Sequence, residues 1–136
     1  MSSKLYSYRM STDNPVTDRD RLLAAWNTYQ AAWSGLCDGE RQTMLDQSVA
    51  PDCVYTDPVS VSRGHRELTG KMQATQRNFP GATFRNDKFA CHHGQAISHW
   101  TMFDGNGTAI FTGTSHARYG EDGRLAQMTG FFEPVR

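Results

Sequence analysis

Glycine-bearing turns divide the second half of this chain into four β-prone runs, residues 83–91, 95–103, 108–119 and 124–133. The turns are His93-Gly94, Asp104-Gly105-Asn106-Gly107 and Gly120-Glu121-Asp122-Gly123. Short Gly/Asn/Asp-rich turns reverse the chain at once, so these runs predict an antiparallel meander. The first half has a different period. Leu22, Trp26, Tyr29 and Trp33 recur at i, i+4, i+7 and i+11, which predicts a helix over 18–34 capped by Thr17 or Asp18. Asp38 can cap a second helix running to Val49, with Met44, Leu45 and Val49 on its apolar side. A third covers 64–79, with Leu68, Met72 and Phe79 on one stripe and Pro80-Gly81 as its stop. Gly70 weakens that helix by roughly 1 kcal/mol relative to alanine. Helices followed by strands point to an α+β fold. At 136 residues the chain is expected to form one domain over 17–136, after a polar tail over 1–16.

Between the second and third helices lies Val54-Tyr55-Thr56-Asp57-Pro58-Val59. In a strand, Tyr55 and Asp57 share one face. Pro58 cannot donate to a sheet ladder and holds Asp57 extended. Facing water, Asp57 is a turn residue; facing an apolar pocket, it is a proton-transfer group. Tyr29 poses a similar choice, since a phenol inside an apolar stripe either finds a backbone partner or lines a cavity.

Charge excludes several function classes. Lys+Arg and Asp+Glu balance at 14 each, so no basic field exists for nucleic acid or acidic lipid. Apolar runs are too short for a membrane span, and the N-terminus lacks the apolar segment of a signal peptide. Cys37, Cys53 and Cys91 are odd in number and widely spaced, which suits reduced thiols in a cytoplasmic protein. Cys91-His92-His93 with His65 or His116 lacks the spaced pairs of a zinc site, so no metal is expected. No phosphate-binding glycine loop or serine-triad pattern is present, and no cofactor is expected. Apolar groups on both sheet faces suggest a homodimer through the face the helices leave open.

The order helix-helix-strand-helix-meander, the Val54–Val59 stretch leading to Gly64, and the closing Asp122–Leu125 and Gly130–Glu133 segments carry a resemblance. The chain resembles the nuclear-transport-factor-2-like superfamily, in particular its SnoaL-like and ketosteroid-isomerase-like branch. The resemblance implies three helices on a strongly curved, mixed but mainly antiparallel sheet, forming a cone with a deep pocket. It matches Asp57 to a proton-shuttling aspartate and Tyr29 to a tyrosine that hydrogen-bonds an enolate. The second acid donor of that branch is missing, with Ser115 in its place. It also places His99 on the pocket wall near Asp57, beside Ile97, Thr101 and Phe103, with Met128, Gly130 and Phe132 opposite.

Asp57, Tyr29 and His99 are thus the implied catalytic set. Trp26, Trp33, Tyr55, Leu68, Met72, Phe103, Ser115, Met128 and Phe132 are the implied substrate-binding residues. Burial is expected to raise the Asp57 pKa and make it a base near neutral pH. The implied activity is a cofactor-independent isomerase, dehydratase or cyclase acting on a small hydrophobic carbonyl, polyketide or steroid-like compound. The alternative is a non-catalytic domain that binds an apolar ligand or a protein partner. Apart from the family, turn preferences favour reading Asp57 as a turn brace, and His99 reads first as a satisfied wall or core histidine.

Overall fold

A computed structural model describes residues 17–134. The expected tail over 1–16 lies outside the described residues. Helix α1 (Asp18–Ala31) begins at a capping box, in which the Asp20 amide donates to Thr17 Oγ1 and the Thr17 amide donates to Asp20. Helix α2 (Asp38–Ser48) follows, and its N-cap is Cys37 rather than Asp38: the Cys37 amide donates to Glu40. Strand β1 (Val49–Thr56) starts directly at the end of α2, before the Val54–Val59 stretch. Pro51 is accommodated because β1 is irregular between Val49 and Val54. A short strand β2 (Val61–Arg63), not anticipated from the sequence, precedes α3 (Gly64–Asn78). The meander is β3 (Thr83–His92), β4 (Gln95–Phe103), β5 (Ala109–Tyr119) and β6 (Leu125–Pro134).

The six strands form one sheet in the order β2-β1-β6-β5-β4-β3. β1 runs parallel to β6 and the other pairings are antiparallel, so the sheet is mixed as expected. The expected strongly curved cone with a deep pocket is not formed. β2 and β3 are the two edges of an open sheet and do not pair with each other. The helices cover one face, where Trp26, Leu45, Leu68 and Met72 pack on Tyr55, Phe89, Ala96, Ala117 and Met128. On the uncovered face Ile97 and Phe131 are exposed. None of the described helices is long and apolar enough to cross a membrane. The three cysteines are free thiols.

Two side chains hold the α1–α2 turn in place. Arg41, almost fully buried, donates to the carbonyls of Ala32 and Ser34 and so satisfies the end of α1. Gln76 donates to the carbonyls of Trp33 and Ala82 and accepts from the Gly81 amide. Trp33, just past the end of α1, is thereby fixed against the sheet.

Strand pairing sets which side chains face the helices. Ser98, Trp100 and Met102 on β4 oppose Ser115, Gly113 and Phe111 on β5, and directly opposed residues share a face. Gly113 is the seat of the Trp100 indole. A Cβ there would lie 2.3 Å from Trp100 Cζ2 and 2.7 Å from the Phe131 carbonyl oxygen. Gly70, exposed in α3, has nothing within 4 Å of its would-be Cβ. Gly113→Ala is therefore expected to destabilise the fold by about 1–3 kcal/mol through overpacking. Gly70→Ala is expected to stabilise it by roughly 1 kcal/mol. Thermal melts of the two variants should move in opposite directions; a Gly113→Ala midpoint equal to that of the wild type contradicts the Trp100 packing.

Candidate functional site

A recess of about 260 Å³, partly open to solvent, lies between α1, α3 and the covered sheet face. Its wall is a run of aromatic rings in tilted and edge-on contact. Trp33 is 5.2 Å from Tyr55 and 6.0 Å from Phe84, centroid to centroid, and Phe84 is 5.7 Å from Trp100. Phe132 continues the run from Trp100 to Phe111, which meets Phe79. Such rings bury apolar surface and interlock edge to face, which makes a stiff lining. Among the described residues that line the recess, only Asp57 and Lys71 carry charge.

Asp57 follows the last residue of β1, and its side chain is only 1% exposed. Its two oxygens have different partners. Oδ1 braces the turn, accepting from the amides of Val59 (2.8 Å) and Ser60 (2.9 Å). Oδ2 accepts the Tyr55 hydroxyl at 2.7 Å and lies 3.1 Å from the Lys71 ammonium. Burial works to raise the carboxyl pKa, but hydrogen bonds from Tyr55, Val59, Ser60 and Lys71 together outweigh it. The carboxyl is held below the ordinary aspartate range, the opposite of the shift expected from burial alone.

The phenols are shifted the other way. Burial, the nearby Asp57 charge and its hydrogen bond to Asp57 push Tyr55 upward. Tyr29 is raised mainly by burial, with the neighbouring Cys53 and the Asp57 carboxylate adding to this against a lowering hydrogen bond from Trp33. Both phenols stay protonated, and Tyr55 donates to Asp57. Opposite them, Ser115 Oγ accepts the Trp100 indole N–H at 3.0 Å. That bond leaves the Ser115 proton free to donate into the recess. Gly130 marks the meeting point. A Cβ on it would lie 3.6 Å from Ser115 Oγ, 3.8 Å from the Tyr55 hydroxyl and 3.9 Å from Asp57 Cβ. An ionised carboxylate, the Tyr55 phenol and a serine hydroxyl thus meet beside an aromatic wall, and the Tyr29 phenol lines the same recess. This set can accept a proton and donate hydrogen bonds to a nearby oxygen.

A model of the SnoaL-like domain matches residues 20–128. The chain belongs to the SnoaL-like family. It is similar to a candidate isomerase of that family from Agrobacterium tumefaciens str. C58, at 24% identity and TM-score 0.77 over 83% of this chain and 97% of that one. A candidate polyketide cyclase from Sinorhizobium meliloti is similar at 18% identity and TM-score 0.64, over 79% of this chain and 93% of the other. An LEH-like epoxide hydrolase of M. tuberculosis is similar at 15% identity and TM-score 0.62, covering 83% of each chain. At these identities the structural likenesses establish the fold alone. No curated protein matches the chain.

In this SnoaL-like domain Asp57, Tyr29, Trp26, Trp33, Tyr55, Ser115 and Phe132 line the recess. His99 does not. It is exposed on the uncovered sheet face, with Nδ1 2.8 Å from Thr114 Oγ1, because the pairing of β4 with β5 turns Trp100 inward and His99 outward. Phe103 shares that outer face, under the Arg85 guanidinium, and also lies outside the recess. Leu68 and Met72 on α3 and Met128 on β6 are sealed in the core between helices and sheet and do not line the recess. Lys71, Gln30, Thr75 and Trp100 line the recess without having been singled out in the sequence. Lys71, Thr75 and Asn78 fall at i, i+4 and i+7 beside the Leu68/Met72/Phe79 stripe. That polar line was the available signal for Lys71.

Tyr55→Phe removes one of the donors that hold Asp57 down. The folded-state pKa of Asp57 lies below its unfolded value, so its contribution to stability is present above the unfolded pKa and is lost as pH falls through the folded one. The variant is expected to lose about 1–3 kcal/mol at neutral pH, the range for a hydrogen bond to a charged group. Urea denaturation should show that deficit shrinking as pH drops below about 4. A deficit independent of pH contradicts the assigned Tyr55–Asp57 bond.

Proposed function

We propose that this SnoaL-like protein is a cofactor-independent acid-base enzyme, an isomerase or a lyase of the dehydratase or cyclase kind. Its substrate would be a small hydrophobic carbonyl compound of polyketide or steroid-like character. The observation that carries this reading is a buried, ionised carboxylate opening onto an aromatic recess that is also lined by the Lys71 ammonium, the protonated Tyr29 phenol and the Ser115 hydroxyl. The names of its structural relatives, an isomerase and a polyketide cyclase among them, agree with chemistry of this class.

In this reading Asp57 Oδ2 takes a proton from the carbon next to the carbonyl. Tyr29 and Ser115 donate hydrogen bonds to the carbonyl oxygen as it gains negative charge. Donors already aimed at that oxygen stabilise the transition state more than the ground state, because the charge develops only there. A carboxylate need not have a raised pKa to serve as such a base; the handful of donors at the oxygen lowers the barrier from the other side.

A second reading, a binding domain without catalysis, draws support from one feature. Asp57 is so well supplied with donors that its basicity is reduced.

Proton-deuterium exchange at the α-carbon of β-tetralone, followed by NMR in deuterated water, separates the two readings. The wild type is expected to catalyse exchange, and Asp57→Asn to slow it by roughly 10²–10⁴-fold while leaving the fold intact. Asp57 must be ionised to accept the proton and is held low, so the rate should be level above about pH 5 and fall only under more acid conditions. Exchange that persists in Asp57→Asn contradicts the role of Asp57. Quenching of the recess tryptophans by β-tetralone with no wild-type exchange favours the binding domain.

A further inference from the structure

The donors around Asp57 leave it no vacancy. An ionised carboxylate offers about four lone-pair sites. Val59 and Ser60 amides occupy those of Oδ1, and the Tyr55 hydroxyl and Lys71 ammonium occupy those of Oδ2. A base in this state cannot receive a proton until one donor departs. The two amides belong to the turn that closes with the Asp57 amide donating to the Ser60 carbonyl. Tyr55 is a buried ring held against Trp33. Lys71 differs from all three. It makes the longest of the four contacts, its side chain is 20% exposed, and it sits on a flexible four-carbon stem at the recess wall.

We propose that Lys71 is a catalytic residue displaced by the substrate: the carbonyl oxygen draws its ammonium off Asp57 Oδ2, freeing that oxygen to act as base. This rests on the reading of Asp57 as the proton acceptor. The step balances without any added reactant. The α C–H bond breaks, its proton bonds to Oδ2, and its electron pair moves through the new C=C bond onto the carbonyl oxygen. The ammonium that had been paired with the carboxylate is then paired with the enolate. Lys71 and Asp57 are the charged groups of the recess wall, so the site is neutral before the transfer and neutral after it. That balance names the substrate class: an uncharged carbonyl compound. A substrate with its own carboxylate would compete with Asp57 for Lys71 and leave excess negative charge in an aromatic pocket.

The test uses β-tetralone, a neutral bicyclic ketone, with the full chain. In a crystal of the complex, Lys71 Nζ is expected within hydrogen-bond distance of the ketone oxygen and no longer on Oδ2. Lys71→Met is expected to slow wild-type exchange by roughly 10²-fold, and Lys71→Arg to recover part of it. Lys71→Met that exchanges as fast as the wild type, or faster, overturns the inference, since Lys71 then only restrains the base. So does a complex in which Nζ stays on Oδ2. If Asp57→Asn abolishes exchange in the same series, the role of Asp57 survives that failure. Absence of exchange in the wild type removes the proton-transfer reading and the Lys71 role with it.

Discussion

A carboxylate taken out of water stays ionised only where donors and positive charge replace the hydration it has lost. Asp57 meets that condition with groups from three separate places. Tyr55 comes from β1, the Val59 and Ser60 amides from the following turn, and Lys71 from α3. Because one side chain needs all of them, it ties the end of β1 to α3. The turn, the strand end and the helix register are not independent features. Shifting α3 by one residue would carry Lys71 off the carboxylate and leave a buried negative charge without its cation.

The rest of the recess follows from how the sheet is paired. β6 lies between β1 and β5, parallel to the first and antiparallel to the second, which brings Asp57, Gly130 and Ser115 into one row. Gly130 keeps that row open at its centre. Two residues before Ser115 on β5, Gly113 admits the Trp100 indole, whose N–H then orients Ser115. Two missing side chains thus decide where two polar groups point. The sheet remains open, and its second face carries a different set of side chains, with His99 and Thr114 hydrogen-bonded on the outside.

Much of this architecture was legible in the sequence. The Leu22/Trp26/Tyr29/Trp33 stripe and the Gly/Asn/Asp turns declare their periods without help from tertiary structure, and they gave the helices and the meander. The pocket positions of Asp57, Tyr29, Trp33 and Ser115 followed from alternation combined with family resemblance. Three things did not follow. Curvature depends on bulges and strand closure, which alternation does not encode, so the resemblance overstated it. On β4 the two alternating sets, Ile97/His99/Thr101/Phe103 and Ser98/Trp100/Met102, are similarly mixed in polarity. Only their pairing with β5 decides which set is inside. Finally, the shift of Asp57 depends on a lysine fourteen residues away and on turn amides. Burial was visible from the strand pattern; the donors that outweigh it were not.

The recess is therefore best understood as an ion pair set in an aromatic wall, with phenols and a serine hydroxyl around it. Its chemistry turns on whether Asp57 is ionised in the free protein. Selective labelling of the aspartate carboxyl carbons and an NMR titration of Asp57 test this most directly. The Asp57 resonance is predicted to stay at its ionised position through about pH 4, where unperturbed aspartates titrate. A resonance that titrates at that pH or above it would contradict the assigned donors and the site built on them.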